Sequence, residues 1–165
     1  MASVPTDKVV VLPNNPNVIL AALQAVELCR KKAVVVPSRT IPQGISALLA
    51  FNYQADLEEN LELMGTACRQ VRTVEVTRAV RSAQMNGLTI GELLVAGDNS
   101  ATVVREMLRR IEGEDHEILT LYYGQDTTQQ EAKALAEEIR REYDDVEIQV
   151  LDGGQAYYHY IVSVE

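Results

Sequence analysis

Two stretches near the start of the chain share one order of residues: VVVLPNNPNVILAAL at 9–23 and VVVPSRTIPQGISALL at 34–49. Each reads as a β-branched run, a proline, a polar turn, a second proline and an apolar helix. A continuous Val run with no polar alternation is the pattern of a strand covered on both faces. A strand followed directly by a helix, twice in succession, commits this part of the chain to βα units and therefore to parallel pairing. Pro13 and Pro37 lie 24 residues apart, the length of one such unit.

The rest of the sequence extends this reading. Residues 18–32 carry apolar Val18, Leu20, Ala21, Ala25, Leu28 and Cys29 at helical spacing, closed by Arg30, Lys31 and Lys32, which suit the negative end of a helix dipole. Thr40 is the expected N-cap of the second helix, with Pro42 in its first turn, where a missing N–H costs nothing; this helix is expected to reach Phe51. Asp56 with Glu59 three residues on resembles a capping box opening a helix to about Gln70. Residues 71–80 alternate as a strand with Val74, Val76 and Val80 on one face. Asn86-Gly87 signals a turn, and LTIGELLVAG a short strand interrupted at Gly91. Ser100 is expected to cap a helix over ATVVREMLRRI, broken by GED. HEILTLYY reads as a strand, and Thr127 with Gln130 as the next capping box. The helix that follows has the stripe Ala132, Leu135, Ala136 and Ile139. VEIQVL and YYHYIVSV are the last strands. The DGGQA between them is too short for a parallel helical crossover, so this pair is either antiparallel or joined across the sheet by a loop. The expected fold class is α/β: a mostly parallel sheet with helices on both faces, an antiparallel C-terminal strand, and two lobes, 1–80 and 81–165.

Composition narrows the function. The net charge is −9. Residues 1–80 hold 8 basic and 7 acidic side chains, and residues 81–165 hold 7 and 17. Such a chain has no electrostatic reason to seek nucleic acid or an anionic membrane. It contains no apolar run of the roughly 20 residues that span a bilayer, so no membrane insertion is expected. MASVPTDKV lacks the basic and apolar regions of a signal peptide. Cys29 and Cys68 fall in apolar helical patterns without CxxC spacing, as buried free thiols in a reducing cytoplasm would.

Chemistry has one natural place. In open α/β sheets, ligands bind beyond the carboxyl ends of strands, beside helix N-termini. That rim carries Asn14, Asn15 and Asn17 after the first strand, and Ser38, Arg39, Thr40, Gln43 and Gly44 after the second. Two readings stand. The rim holds a carboxylate or phosphate, with Arg39 adding charge. Alternatively, Asn15 and Thr40 are caps and Gly44 permits close packing. His159, in AYYHYIVSV, is a candidate tail contact or a paired strand histidine. GxGxxG and P-loop patterns are absent. The histidines, 116 and 159, have no metal-ligand spacing, and no Ser-His-Asp or nucleophile-elbow arrangement is present. No metal, no cofactor and no catalytic set is expected in this chain.

Taken together, VVVLPNNPNVILAALQAVEL, AVVVPSRTIPQGISALLAFNYQADLEENLELM and the stretch YYGQDTTQQEAKALAEEIRREYDDVEIQVLDGGQAYYHYIVSVE resemble, in order and over nearly the whole chain, the C-terminal domain of the ATP-using subunit of bacterial fatty acid kinase. That family is also described as dihydroxyacetone kinase-like or Dak phosphatase-like. The resemblance implies a fold related to the DegV-like fatty acid-binding subunit. It also implies a non-catalytic role in docking that subunit, so that its acyl carboxylate is phosphorylated. ATP and magnesium belong, on this resemblance, to a kinase domain of the full-length chain, which also has a middle domain. Nothing in the present sequence resembles either. DegV-like lipid binders end in a Gly-Thr-His-x-Gly-Pro-Gly type of motif that meets the fatty acid carboxylate. The tail GGQAYYHYIVSVE lacks it, and only His159 echoes its histidine. The segment AQMNGLTIGELLVAGDNS is shorter than the family's usual hairpin-containing one. An independent phosphatase activity has no nameable nucleophile, metal set or base behind it.

Overall fold

The computed structural model describes residues 5–77, the backbone of 92–96, residues 102, 104, 108 and 109, and residues 117–165. The chain forms two compact units, Met1–Val71 and Arg72–Glu165. The expected boundary after residue 80 falls later than this. The strand that begins at Arg72 pairs with strands of the second unit, so it belongs there.

In the first unit, β1 (Lys8–Val11) pairs in parallel with β2 (Lys32–Val35), from Lys8 opposite Lys32 to Val11 opposite Val35. The connecting helix α1 spans Pro16–Glu27 and ends before the basic run expected to close it; Lys32 instead starts β2. Asn15 caps α1, its Oδ1 accepting from the Asn17 N–H at 2.9 Å. Helix α2 (Ile41–Leu49) stops before Phe51, and α3 spans Leu57–Gln70. The core gathers Val36, Ala47, Met64 and Cys68, with Val10, Leu12, Phe51 and Leu61 packed against it. Successive side chains of an extended chain point to opposite faces, so Val10 of β1 and Leu12 just after it meet this core from the same side. Cys68 is buried and Cys29 half-buried. Burial raises the Cys68 pKa, which makes it an inert packing thiol.

The second unit is a five-stranded sheet of order β4-β3-β7-β5-β6, formed by β3 (Arg72–Thr77), β4 (Glu92–Ala96), β5 (Ile118–Tyr123), β6 (Glu147–Asp152) and β7 (Tyr160–Val164). It is mixed rather than mostly parallel. β3 runs parallel to β4 and β5 to β6, while β7 is antiparallel to both β3 and β5. The loop after β6 carries no helix, so the chain passes β5 and re-enters on its far side in the reverse direction. Of the two expected arrangements for the last strands, this is the loop across the sheet. Gly154 turns that loop with φ 61°, and its N–H donates to Asp152 Oδ1. β7 is buried along its whole length, as a central strand should be.

Alternation sorts the two faces of this sheet. Val74, Val76, Leu119, Leu121, Ile148, Tyr160, Val162 and Val164 join one core with Val104, Leu108 and the stripe Ala132, Leu135, Ala136 and Ile139 of helix α4 (Gln129–Glu142). The other face carries Thr73, Ser163 and Thr120 in one buried cross-strand row. Burial among this core pushes the Tyr160 hydroxyl up to about 12. The cap of α4 is Thr128, not Thr127. Thr128 and Glu131 form the reciprocal box, while the Thr127 hydroxyl donates to the His159 carbonyl at 3.2 Å. Thr127 with Gln130 and Thr128 with Glu131 both satisfy the pattern. The ionised Glu131 gives the stronger, charge-assisted bond. Val80, the Asn86-Gly87 turn, Ser100, the GED break and His116 lie outside the described residues.

Candidate functional site: the strand-end rim

The rim of the first unit carries two sets of hydrogen bonds, one joining Asn14 and Ser38 and one joining Thr40, Gln43 and the Arg39 backbone. Asn14 leaves β1 with φ 54°, a left-handed conformation that Asn tolerates better than most residues. Its backbone N–H donates to Ser38 Oγ at 3.1 Å, and the Ser38 hydroxyl donates back to Asn14 Oδ1 at 2.6 Å. This reciprocal pair ties together the ends of β1 and β2. Ser38 is fully buried. Thr40 Oγ1 caps α2 by accepting from the Gln43 N–H at 3.4 Å. The Gln43 side chain runs both ways: its Oε1 accepts from the Arg39 N–H at 2.9 Å, and its Nε2 donates to the Val71 carbonyl at 3.4 Å. Cys68 Sγ donates to the Gln43 carbonyl at 3.3 Å, tying α3 to the same point.

Gly44 lets the Asn14 side chain approach the start of α2. A Cβ placed there would collide with Asn14 Oδ1, far inside van der Waals contact. Only glycine lets the Asn14 amide settle over the first turn of α2. The expected rim residues Asn14, Ser38, Thr40, Gln43 and Gly44 are thus brought together, with Asn14 bonded to Ser38 and Gln43 to Thr40. Asn15 and Asn17 sit at the start of α1, and the Arg39 side chain is exposed. His159 belongs to the second unit. It is half-buried immediately before β7, with its N–H donating to the Val76 carbonyl at 2.8 Å and its carbonyl accepting from Gly124 N–H at 2.9 Å. Among the described residues, no group of three or more His, Cys, Asp or Glu is placed to hold a metal ion. No described helix is long and apolar enough to cross a membrane.

Sequence reasoning missed two features. The first is Asn60, buried near the start of α3, whose amide clamps the loop before the helix. Its Oδ1 accepts from Asn52 N–H, and its Nδ2 reaches the carbonyls of Asn52, Asp56 and Ala55. An Asn inside a helical pattern was the available signal, since its side chain competes for local backbone groups. The second is the outer surface. α2 contains no charged residue, yet Ile41, Ile45, Leu48 and Leu49 are exposed, Leu49 to 83%. α1 buries none of its residues; Leu20 is 68% exposed, and Leu28, the C-cap that follows, 87%. Periodicity alone gives both helices inward apolar faces and no outward ones. A helix apolar all round belongs in contact on every side.

Asp56 caps α3 with a carboxylate that accepts from the Glu58 and Glu59 N–H groups, each at 2.9 Å. The Glu59 bond first, then the Glu58 bond, holds its pKa below the usual aspartate value. Because the folded pKa is depressed, the cap's contribution is complete above the unfolded value and disappears as pH falls through the folded one. A carboxyl-carbon NMR titration is expected to place the Asp56 midpoint below that of Asp in an unfolded peptide. An unshifted midpoint would contradict this cap.

Residues 1–165 match the family model of the FakA-like C-terminal region, that of fatty acid kinase. Protein YloV of Bacillus subtilis (strain 168) is 38% identical over 173 residues, covering 99% of this chain and 31% of that protein. An uncharacterized protein of Staphylococcus aureus (strain USA300) is 36% identical over 168 residues, covering 96% of this chain and 31% of its own length. The chain therefore spans less than a third of the curated relatives it matches. With a match along its entire length, it belongs to the FakA-like C-terminal family of fatty acid kinase.

Proposed function

We propose that this domain is the non-catalytic docking module of a bacterial, cytoplasmic fatty acid kinase. It holds a DegV-like fatty acid-binding protein while a separate kinase domain, using ATP and magnesium, phosphorylates the acyl carboxylate. The observation that carries this reading is the uncharged outer face of α2, with Ile41, Ile45 and Leu48 exposed at i, i+4 and i+7. Contiguous exposed apolar surface of this kind marks sites of protein interaction. The rim enters as the frame that fixes α2. A DegV-like relationship of the two units is part of the same proposal.

Ile45→Asp and Leu48→Asp test it. Both side chains are exposed, so stability is expected to change by only about 0.5 kcal/mol. Affinity for the acyl-carrying protein is expected to fall at least about tenfold, or about 1.4 kcal/mol. Unchanged affinity in both variants would remove this face from the reading.

A further inference from the structure

The second unit ends at a sheet edge that its own strand does not close. Among the described residues, β6 is the last strand of the sheet, with β5 on one side and no strand on the other. The Glu147 N–H donates to the Glu117 carbonyl, and the Gly153 N–H to the Tyr123 carbonyl. Backbone groups alternate in direction along a strand, so Glu147, Gln149 and Leu151 face β5. The N–H and C=O groups of Ile148, Val150 and Asp152 therefore face outward. Such a row is a template for another strand. The sequence EIQVLD brings neither proline nor a cation to it. Antiparallel pairing of two copies centred on Val150 sets Ile148 opposite Asp152 and Gln149 opposite Leu151. No like charges meet in that register, and the half-exposed Leu151 gains cover. Nothing in the strand itself refuses a second copy.

The obstacle comes from α4. Arg140, in the last turn of that helix, donates through Nη2 to the Ile148 carbonyl at 2.7 Å. This is one of the outward carbonyls that an added strand needs. Arg140 Nη1 pairs with Glu137 one turn earlier, which holds the guanidinium at the margin of the sheet. The neighbouring Ile139 is buried in one core with Ile148, so the Arg140 stem starts where the helix meets the edge strand. A guanidinium stays charged at any working pH, and its bond to a carbonyl is charge-assisted. An incoming strand must break that bond and cover the charge.

We propose that Arg140 guards the β6 edge: seated on the Ile148 carbonyl, it keeps a second copy of this chain from adding its own β6 to the sheet. Without it, the second unit self-associates through antiparallel β6–β6 pairing. The guard lies in the second unit, whereas the docking reading rests on the outer face of α2 in the first. Either can fail without the other.

The test is sedimentation equilibrium of the 165-residue chain beside its Arg140→Ala and Arg141→Ala variants. Salt at about 0.5 M screens the net charge of −9. Both variants remove one cation from the last turn of α4, and of the two residues Arg140 holds the bond to β6. Arg140→Ala is expected to self-associate at least about tenfold more tightly than the unaltered chain or Arg141→Ala. Hydrogen exchange at the Val150 amide is expected to slow as Arg140→Ala is concentrated, because the new pairing takes up that N–H. Arg140→Met keeps the stem over the sheet margin and is expected to repeat both results; it carries the test if the alanine variant does not fold. Equal association by Arg140→Ala and Arg141→Ala, or association that leaves Val150 exchange unchanged, would overturn the proposal.

Discussion

Replacing Asn60 by alanine is expected to destabilise the first unit by about 3 kcal/mol, the largest single effect the structure supports outside the apolar core. Asn60 is 2% exposed. Its Oδ1 accepts from Asn52 N–H at 2.8 Å, and its Nδ2 meets the Asn52 and Asp56 carbonyls at 2.9 Å each, with the Ala55 carbonyl at 3.3 Å. Alanine removes one acceptor and one donor group together. The backbone atoms they satisfied are then short of partners beside a packed helix, and each such loss costs about 1–3 kcal/mol. Asn60→Asp keeps the acceptor but turns an oxygen toward the same carbonyls, so it is expected to be at least as damaging. Urea unfolding measures both variants, through a lower midpoint at unchanged slope. A loss below about 1 kcal/mol for Asn60→Ala would mean that the 52–56 loop is held by something else.

Gly44→Ala is expected to cost about 2 kcal/mol, although alanine is the better helix former by about 1 kcal/mol. The opposition comes from Asn14, whose Oδ1 occupies the place where the new Cβ must go. That oxygen cannot swing away freely, because it accepts the Ser38 hydroxyl at 2.6 Å while the Asn14 N–H donates to Ser38 Oγ. The diagnostic experiment is a double-mutant cycle. Asn14→Gly suits the positive φ of that position and removes the obstructing amide. In that background, Gly44→Ala is expected to become neutral or stabilising, a coupling of about 2–3 kcal/mol. Additive behaviour would show that the two residues do not share the space the rim assigns them.

These two clusters show what the sequence made legible and what it did not. Signals carried within a few residues were readable. Asn15, Thr40 and Asp56 cap their helices as their spacing implies, and Val74 and Val76 face one core as alternation requires. The rim residues could be collected because a strand end and a helix start are both local patterns. Their bonding could not, since the Asn14–Ser38 pair joins positions 24 residues apart. Strand order was out of reach for the same reason: nothing near residues 160–164 states that they will lie between β3 and β5. Between Thr127 and Thr128 the ionised Glu131 decides the cap, and the partner of the Thr127 hydroxyl, the His159 carbonyl, is brought to it only by the folded sheet. The outward faces of α1 and α2 were hidden by their own hydrophobicity. Periodicity reports which residues are apolar, not which of them a single unit has room to cover.

On the proposed function, this domain by itself recognises the acyl-carrying protein. Calorimetric titration of the 165-residue chain with its cognate DegV-like fatty acid-binding protein tests it most directly. Saturable one-to-one binding is expected, weakened at least about tenfold by Ile45→Asp, with the variant's fold intact by circular dichroism. No binding by the unaltered domain, under conditions where a full-length kinase chain binds the same partner, would contradict it.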